Sequence, residues 1–207
     1  MTRRSRPAVE VRKSPRQSRA VDLVEAILEA ATRIIREDGL AGLTTNRVAE
    51  LAGVGIGSLY EYFPGKEAIV VALARRRLAA DTAHVAAVIE AALADRTTSP
   101  VRPVVRALIA LHRQDPALRR VVMGLHVASG LAGEHTGPAA EIDRQLAARP
   151  DPRLGGGLTS IAGFTLTRAV LGAVRAAFLE RPELLSDPAF EDELVRLAAA
   201  CLDRPAG

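Results

Sequence analysis

Val21, Val24, Ile27, Leu28, Ala31, Ile34 and Ile35 recur at three- and four-residue steps, the pattern of one face of an amphipathic helix. Gly39 ends that helix, in a position that suits a left-handed residue after a helix C-terminus. Thr44 then offers an N-cap, and Val48, Ala49 and Leu51 mark a short helix that stops at Gly53. A second short helix begins near Gly55 or Ile56 and ends at Pro64, because the residue before a proline disfavours the helical region. Two helices of about eight residues, joined by a turn that contains glycine, make a helix-turn-helix. Gly53 lets the chain turn tightly without a Cβ clash, and the small Ala49 lets the two helices cross closely.

From Lys66 a long helix runs through Leu73, Leu78 and Val85 to about Ala94, where the stretch DRTTSP (Asp95 to Pro100) breaks it. Further helical segments are expected near 101–114, 116–130 and 138–149. The clearest loop runs from Ala148 to Gly157, and helices over about 158–180 and 188–203 finish the chain, divided by RPELLSDP. With β-branched alternation scarce, the pattern predicts an all-α protein. Gly155, Gly156 and Gly157 are followed by no Lys-Ser/Thr pair, so they read as a connector and not as a phosphate cradle.

Charge changes this picture at one end only. The net charge is +4, but residues 1–19 carry Arg3, Arg4, Arg6, Arg12, Lys13, Arg16 and Arg19 against Glu10 alone, or +6, which leaves −2 for the rest. That segment reads as a mobile basic arm, either a solubilising tail or an arm that seeks nucleic-acid phosphates, with Arg16 and Arg19 nearest the folded body. No apolar run reaches the roughly 18 residues of a membrane span, and no apolar stretch follows the basic start as in a signal peptide. Together with a single cysteine, Cys201, this leads us to expect a cytoplasmic protein with no membrane partner. His84, His112, His126 and His135 have no metal-ligand spacing, so neither metal nor other cofactor is expected. No nucleophile–base pair stands out either, which argues against an enzyme.

The stretch GSLYEYFPGKE, Gly57 to Glu67, holds Tyr60, Tyr62 and Phe63, half of the six aromatic residues in the 207-residue chain. Leu59 and Phe63 are four apart and should point into a small core. Tyr60 shares a face with Ile56, and Tyr62 with Ser58. The first turn, Gly55 to Ser58, is then free to enter a major groove. There Ser58 could meet a base edge, Ile56 a thymine methyl, and Gly55 and Gly57 would allow close backbone approach. Tyr60, Tyr62 and Lys66 suit phosphate oxygens, which fix register and do not read sequence.

The segment LTTNRVAELAGVGIGSLYEYFPGKEAI, Leu43 to Ile69, resembles the DNA-binding region of the tetracycline-repressor (TetR) family of bacterial transcriptional regulators, in the AcrR-like branch. The resemblance rests on TT before the first short helix, AGV at the turn, GSLY on the second, then YF, and KE after the proline. It implies an N-terminal three-helix DNA-binding domain over 20–68, with its motif at about 43–62, and a larger helical effector-binding and dimerisation domain over 69–207. It also implies that Thr44, Thr45, Tyr60, Tyr62 and Lys66 hold the DNA backbone, with Arg47 on a base or phosphate.

Two positions depart from the family pattern. Gly55 stands where a capping serine is common, and Ile56 where polar residues are frequent, so Arg47 and the arm would carry more of the specificity.

The implied function is that of a dimeric repressor released from a palindromic operator by a small molecule. Its effector would lie among His112, Met123, His126, Phe164, Thr167 and Arg168. Its dimer interface would be built from Ile161, Leu171, Val174, Phe178, Leu194 and Leu197 on the last two helices. The competing readings are a nonspecific nucleic-acid-binding or scaffolding protein and a small all-helical enzyme.

Overall fold

A computed structural model of the chain describes residues 15–128, 137–148, 151, 153 and 160–202, and among these the side chains of 15–18, 125–128 and 160 lie outside the description. The expectations placed on the side chains of Arg16 and His126, on His135 and on Gly155 to Gly157 therefore fall outside the described residues. Every regular element among the described residues is helical. The chain divides into two units, with the boundary between Ile69 and Val70.

The first unit opens with α1, Pro15–Asp38. The helix begins earlier than the hydrophobic pattern indicates: residues 15–19, expected in the arm, are helical. Proline is well suited to a first helical turn, where its missing N–H would have no partner anyway. The basic residues Arg16 and Arg19 thus sit on a helix, and Arg19 is exposed. Ile27, Ala31, Ile34 and Ile35 are fully buried, as their periodicity predicts. Gly39 follows with φ 68° and ψ −171°, a glycine conformation outside the left-handed helical region that was expected of it.

A single 3₁₀ turn, Leu40–Gly42, leads to α2, Thr45–Ala52, and α3, Ile56–Tyr62. Thr44 caps α2, its hydroxyl accepting from Arg47 N–H at 3.3 Å. Gly53 closes it at φ 68° and ψ 28°, with its N–H bonded to Glu50 O at 3.1 Å and Val54 N–H to Ala49 O at 3.0 Å. That pair of bonds is the Schellman arrangement, which needs a left-handed residue at the position Gly53 holds. At seven residues α3 is far too short to persist alone. It is held by Leu59, fully buried, and by Phe63 at its C-terminal edge.

The second unit is built from α4 (Lys66–Ala94), α5 (Val101–Arg113), α6 (Pro116–Ala128), α7 (Gly137–Ala148), α8 (Ser160–Glu180) and α9 (Pro188–Leu202). The first residues of α4 precede the boundary. α5 sits at the centre, packing on α8, α9 and a 3₁₀ turn at Pro182–Ser186. Its buried residues Val105, Leu108, Ile109 and Leu111 join Val170, Leu171, Val174, Phe178 and Leu194 in one core. Arg102 and Arg106 tie α5 to α9, donating to Glu191 at 3.0 and 2.9 Å. At the break after α4, Asp95 accepts from Thr97 N–H at 2.8 Å and from the Thr97 and Thr98 hydroxyls. These bonds, the Thr97 hydroxyl's first, draw its carboxyl down to about 2.

One expectation about membranes needs correction. Ile161–Glu180 averages a hydropathy of 1.3 over a span-length window, long and apolar enough to cross a bilayer by composition. It is nevertheless a core helix, with Leu166, Val170, Val174 and Ala177 buried against its neighbours and Arg168 and Arg175 along its length.

Candidate nucleic-acid interface and interior cavities

The helix-turn-helix separates its two faces cleanly. Leu59 and Phe63 turn inward, while Tyr60, Tyr62 and Ile56 are exposed, as are Gly55, Gly57, Thr44 and Lys66. Ser58 and Thr45 are half-buried. The Tyr60 and Thr45 hydroxyls lie 3.1 Å apart, joining the start of α2 to α3. Two hydroxyls so placed, each with spare lone pairs and a proton, can meet one phosphate oxygen together.

Gly57 has nothing within 4 Å of where a Cβ would stand, and its φ is unexceptional. Neither packing within the unit nor backbone strain demands glycine there. What its lack of a side chain does provide is an open approach to the first turn of α3 from outside. Gly55, the N-cap, gives that helix no side-chain bond. Lys66 stands in the first turn of α4, where a cation opposes the helix dipole. An anion would be drawn by both the lysine and the helix end.

Without DNA, Arg47 is engaged within the unit. Its guanidinium pairs with Asp38 and donates to Gly42 O at 3.3 Å, so it is folded back against the end of α1. A Cβ on Gly42 would stand 2.5 Å from the Asp38 Cβ and 3.1 Å from the Arg47 Nη1, so glycine makes room for this pairing. An exposed ion pair is worth only about 0–1 kcal/mol, and a phosphate could displace it.

The larger unit holds two cavities of interest. One, of about 80 Å³, is walled almost wholly by apolar groups, among them Ile89, Val105, Leu108, Ile142, Leu166 and Val170, and reaches Thr167. The other, of about 40 Å³, is lined by Arg77, Asp81, His112, Arg119, Met123 and Arg175 together with apolar side chains. Leu108 borders both. Asp81 accepts from Arg77 Nε at 2.8 Å and from Arg119 Nη1 at 2.7 Å, a buried charge cluster. His112 donates from Nδ1 to Leu108 O at 2.9 Å, and burial pushes its pKa down to about 4.

The six residues expected to line one effector pocket do not come together. His112 and Met123 border the charged cavity, and Thr167 the apolar one. Phe164 is exposed, with the Arg168 guanidinium 4.5 Å from its ring centre, while Arg168 also pairs with Asp143 at 3.2 Å. The residues that charge the cavity, Asp81, Arg119 and Arg175, escaped the pattern because charged side chains default to the surface. A usable signal was present: Arg77 and Asp81 are four apart on a helix, and Arg168 and Arg175 interrupt the most apolar helix of the chain.

The expected dimer residues divide as well. Leu171, Val174, Phe178 and Leu194 are buried inside the unit's own core, Val174 completely, so they cannot also form an outer interface. Ile161 is 77% exposed and Leu197 41%, and both remain available. Among the described residues no group of His, Cys, Asp and Glu is arranged to hold a metal ion.

A short three-helix unit whose third helix is groove-sized and polar-tipped, followed along the chain by a larger helical unit with interior cavities, has the architecture of a helix-turn-helix regulator. The family model for bacterial regulatory proteins of the tetR family matches residues 27–73, and that for the tetracyclin repressor-like C-terminal domain matches 99–202. The chain belongs to the TetR family.

Among its relatives is the nucleoid occlusion factor SlmA of Actinobacillus pleuropneumoniae serotype 5b, 29% identical over 118 residues, 57% of this chain and 56% of SlmA. The transcriptional regulator RutR of Escherichia coli K12 is 41% identical over 69 residues, 33% of this chain and 32% of RutR. The chain thus spans about half or less of the length of these relatives. The multidrug binding protein EbrR, solved with imidazole, shares the fold with a TM-score of 0.65 at 23% identity, over 88% of this chain and 96% of EbrR.

Proposed function

We propose that this protein is a sequence-specific DNA-binding transcriptional regulator, acting as a dimeric repressor that a small molecule releases from a palindromic operator. The observation that carries the reading is the two-faced α3: Leu59 and Phe63 lock it from within, while its glycine-lined first turn and two tyrosines face out. Gly55, Ile56, Gly57 and Ser58 enter the major groove, and Thr44, Thr45, Tyr60, Tyr62 and Lys66 hold the phosphates. Arg16 and Arg19 bring positive charge to the same strand backbones from the start of α1.

Dimerisation uses the exposed stripes of α8 and α9. On α8, Ile161, Thr165, Ala169, Gly172 and Leu179 are exposed at helical spacing, and the small residues in the middle permit close approach. Leu197 marks the corresponding stripe of α9. A two-fold pair would set its recognition helices about 34–36 Å apart, one turn of DNA. The effector shifts the population toward a form with another spacing, by as much as its affinities for the two forms differ.

The test is to select bound sites from genomic fragments and footprint the wild type against Tyr62→Ala and Lys66→Ala. A defined palindrome protected by the wild type and lost in both variants supports the reading. Salt-sensitive binding without a preferred sequence would instead favour a nonspecific nucleic-acid-binding protein.

A further inference from the structure

The charged cavity of the larger unit is out of electrical balance. Three guanidinium groups, Arg77, Arg119 and Arg175, border it against the single carboxylate of Asp81. Asp81 is already shared between Arg77 and Arg119, and Arg119 also donates from Nη2 to Leu111 O at 2.5 Å. What is left over is specific. Arg119 is only 8% exposed, and its Nε is a buried donor with no hydrogen-bond partner. Arg175 makes no ion pair among the described residues, and burial lowers its pKa, with Arg119 and Arg168 adding repulsion. His112, held neutral at physiological pH by burial, leaves that charge imbalance unchanged.

A half-buried cation without an anion is unfavourable, and an entering anion that accepts from Arg175 and from the unpartnered Arg119 Nε removes the penalty. The rest of the lining selects among anions. Leu78, Leu108, Leu111, Val122, Met123 and Leu171 are apolar, so the further oxygens of a phosphate would find few donors. A planar carboxylate matches two guanidinium edges and fits about 40 Å³. Beyond Leu108 lies the apolar cavity of about 80 Å³, suited to a hydrocarbon body.

We propose that the larger unit binds an organic monocarboxylate, its head held by Arg119 and Arg175 and its apolar body packed along Leu108 toward the apolar cavity. This names the chemical class of the effector, and so rests on the effector reading given above.

The experiment uses the full chain and four probes: hexanoate, hexanol, hexylamine and inorganic phosphate. Calorimetric titration is run on the wild type and on Arg175→Gln, a change chosen because it removes no internal ion pair, with circular dichroism and the melting temperature confirming that the variant folds. Hexanoate should bind the wild type about 10- to 100-fold more tightly than hexanol, the value of a charge-assisted hydrogen bond. Arg175→Gln should erase most of that preference while leaving hexanol unchanged.

Equal affinity for hexanoate and hexanol overturns the proposal, as does a preference that survives in Arg175→Gln or phosphate binding as tight as hexanoate. DNA release is measured separately on a selected site. Hexanoate that binds without releasing DNA supports the carboxylate site and overturns only its role as effector. Release by compounds other than carboxylates, with no hexanoate binding, supports the regulator and overturns the carboxylate.

Discussion

The two units place their polar chemistry on opposite sides of their surfaces. In the helix-turn-helix unit the only buried polar side chain among the described residues is Thr32, whose hydroxyl donates to Leu28 O at 2.8 Å within α1. Tyr60, Tyr62, Lys66 and the described arginines of this unit are exposed. The larger unit buries Asp81, His112, Arg119, Glu141, Gln145 and Thr167. Burying such groups is costly unless each is paired. A unit that turns its polar groups outward is prepared to meet something larger than itself. A unit that keeps them within is prepared to surround something smaller.

That contrast can be broken most forcefully at Leu59. Leu59→Ala should cost about 2–5 kcal/mol, since a fully buried leucine leaves a cavity, and in so small a unit this should abolish DNA binding. Ligand binding in the larger unit should survive, as calorimetry beside a gel-shift assay would show. Loss of both together would mean that the two units do not act as separately as their cores suggest.

The next effect belongs to the interior. His112 has a pKa near 4 in the folded chain against 6.5 for the unperturbed side chain, so the unfolded chain takes up its proton first as pH falls. Stability should therefore drop between pH 6.5 and 4, by up to about 3 kcal/mol, and level off below. In His112→Leu the difference between urea midpoints at pH 7 and pH 4.5 should shrink. An unchanged difference would assign the acid sensitivity to other groups.

Smaller changes sharpen the outer face. Lys66→Ala should weaken all DNA sequences alike and lower the slope of log affinity against log salt by about one, the mark of a single phosphate contact. Tyr62→Phe, which removes only the hydroxyl, should cost about 1 kcal/mol of operator affinity in the same titrations. Smallest of all is Asp38→Ala. It frees Arg47 from its exposed ion pair, and affinity should rise by less than a factor of about five. Arg47→Ala tells whether that side chain reads bases: loss of preference at particular base pairs supports base contact, whereas a uniform loss speaks for phosphate.

Much of the fold was legible because local rules were strong. The caps at Thr44 and Gly53, the proline after Phe63 and the inward spacing of Leu59 and Phe63 each constrain only a few neighbouring residues, and the structure places each as the pattern indicates. The larger unit was legible only as a succession of helices. Which side of α8 faces inward depends on what packs against it, and Leu171 and Val174 look no different in sequence from an exposed residue such as Ile161. The charged cavity was hidden for a related reason. Asp81, Arg119 and Arg175 lie far apart in sequence, and only the packing of α4, α6 and α8 makes them neighbours. The beginning of α1 is not legible in the hydrophobic pattern, because its first turn bears no apolar stripe.

The close approach at Gly137 has a consequence of its own. A Cβ there would stand 2.4 Å from the Thr82 Oγ1 and 3.0 Å from the Leu78 Cδ1, so the start of α7 rests almost directly on α4. Pro138 and Ala139, next along α7, and Leu78, across from it, are walls of the charged cavity. The width of that chamber is thus gauged by the absence of one methyl group, at a residue outside the cavity lining. Selection acting on Gly137 could resize the chamber without touching the arginines.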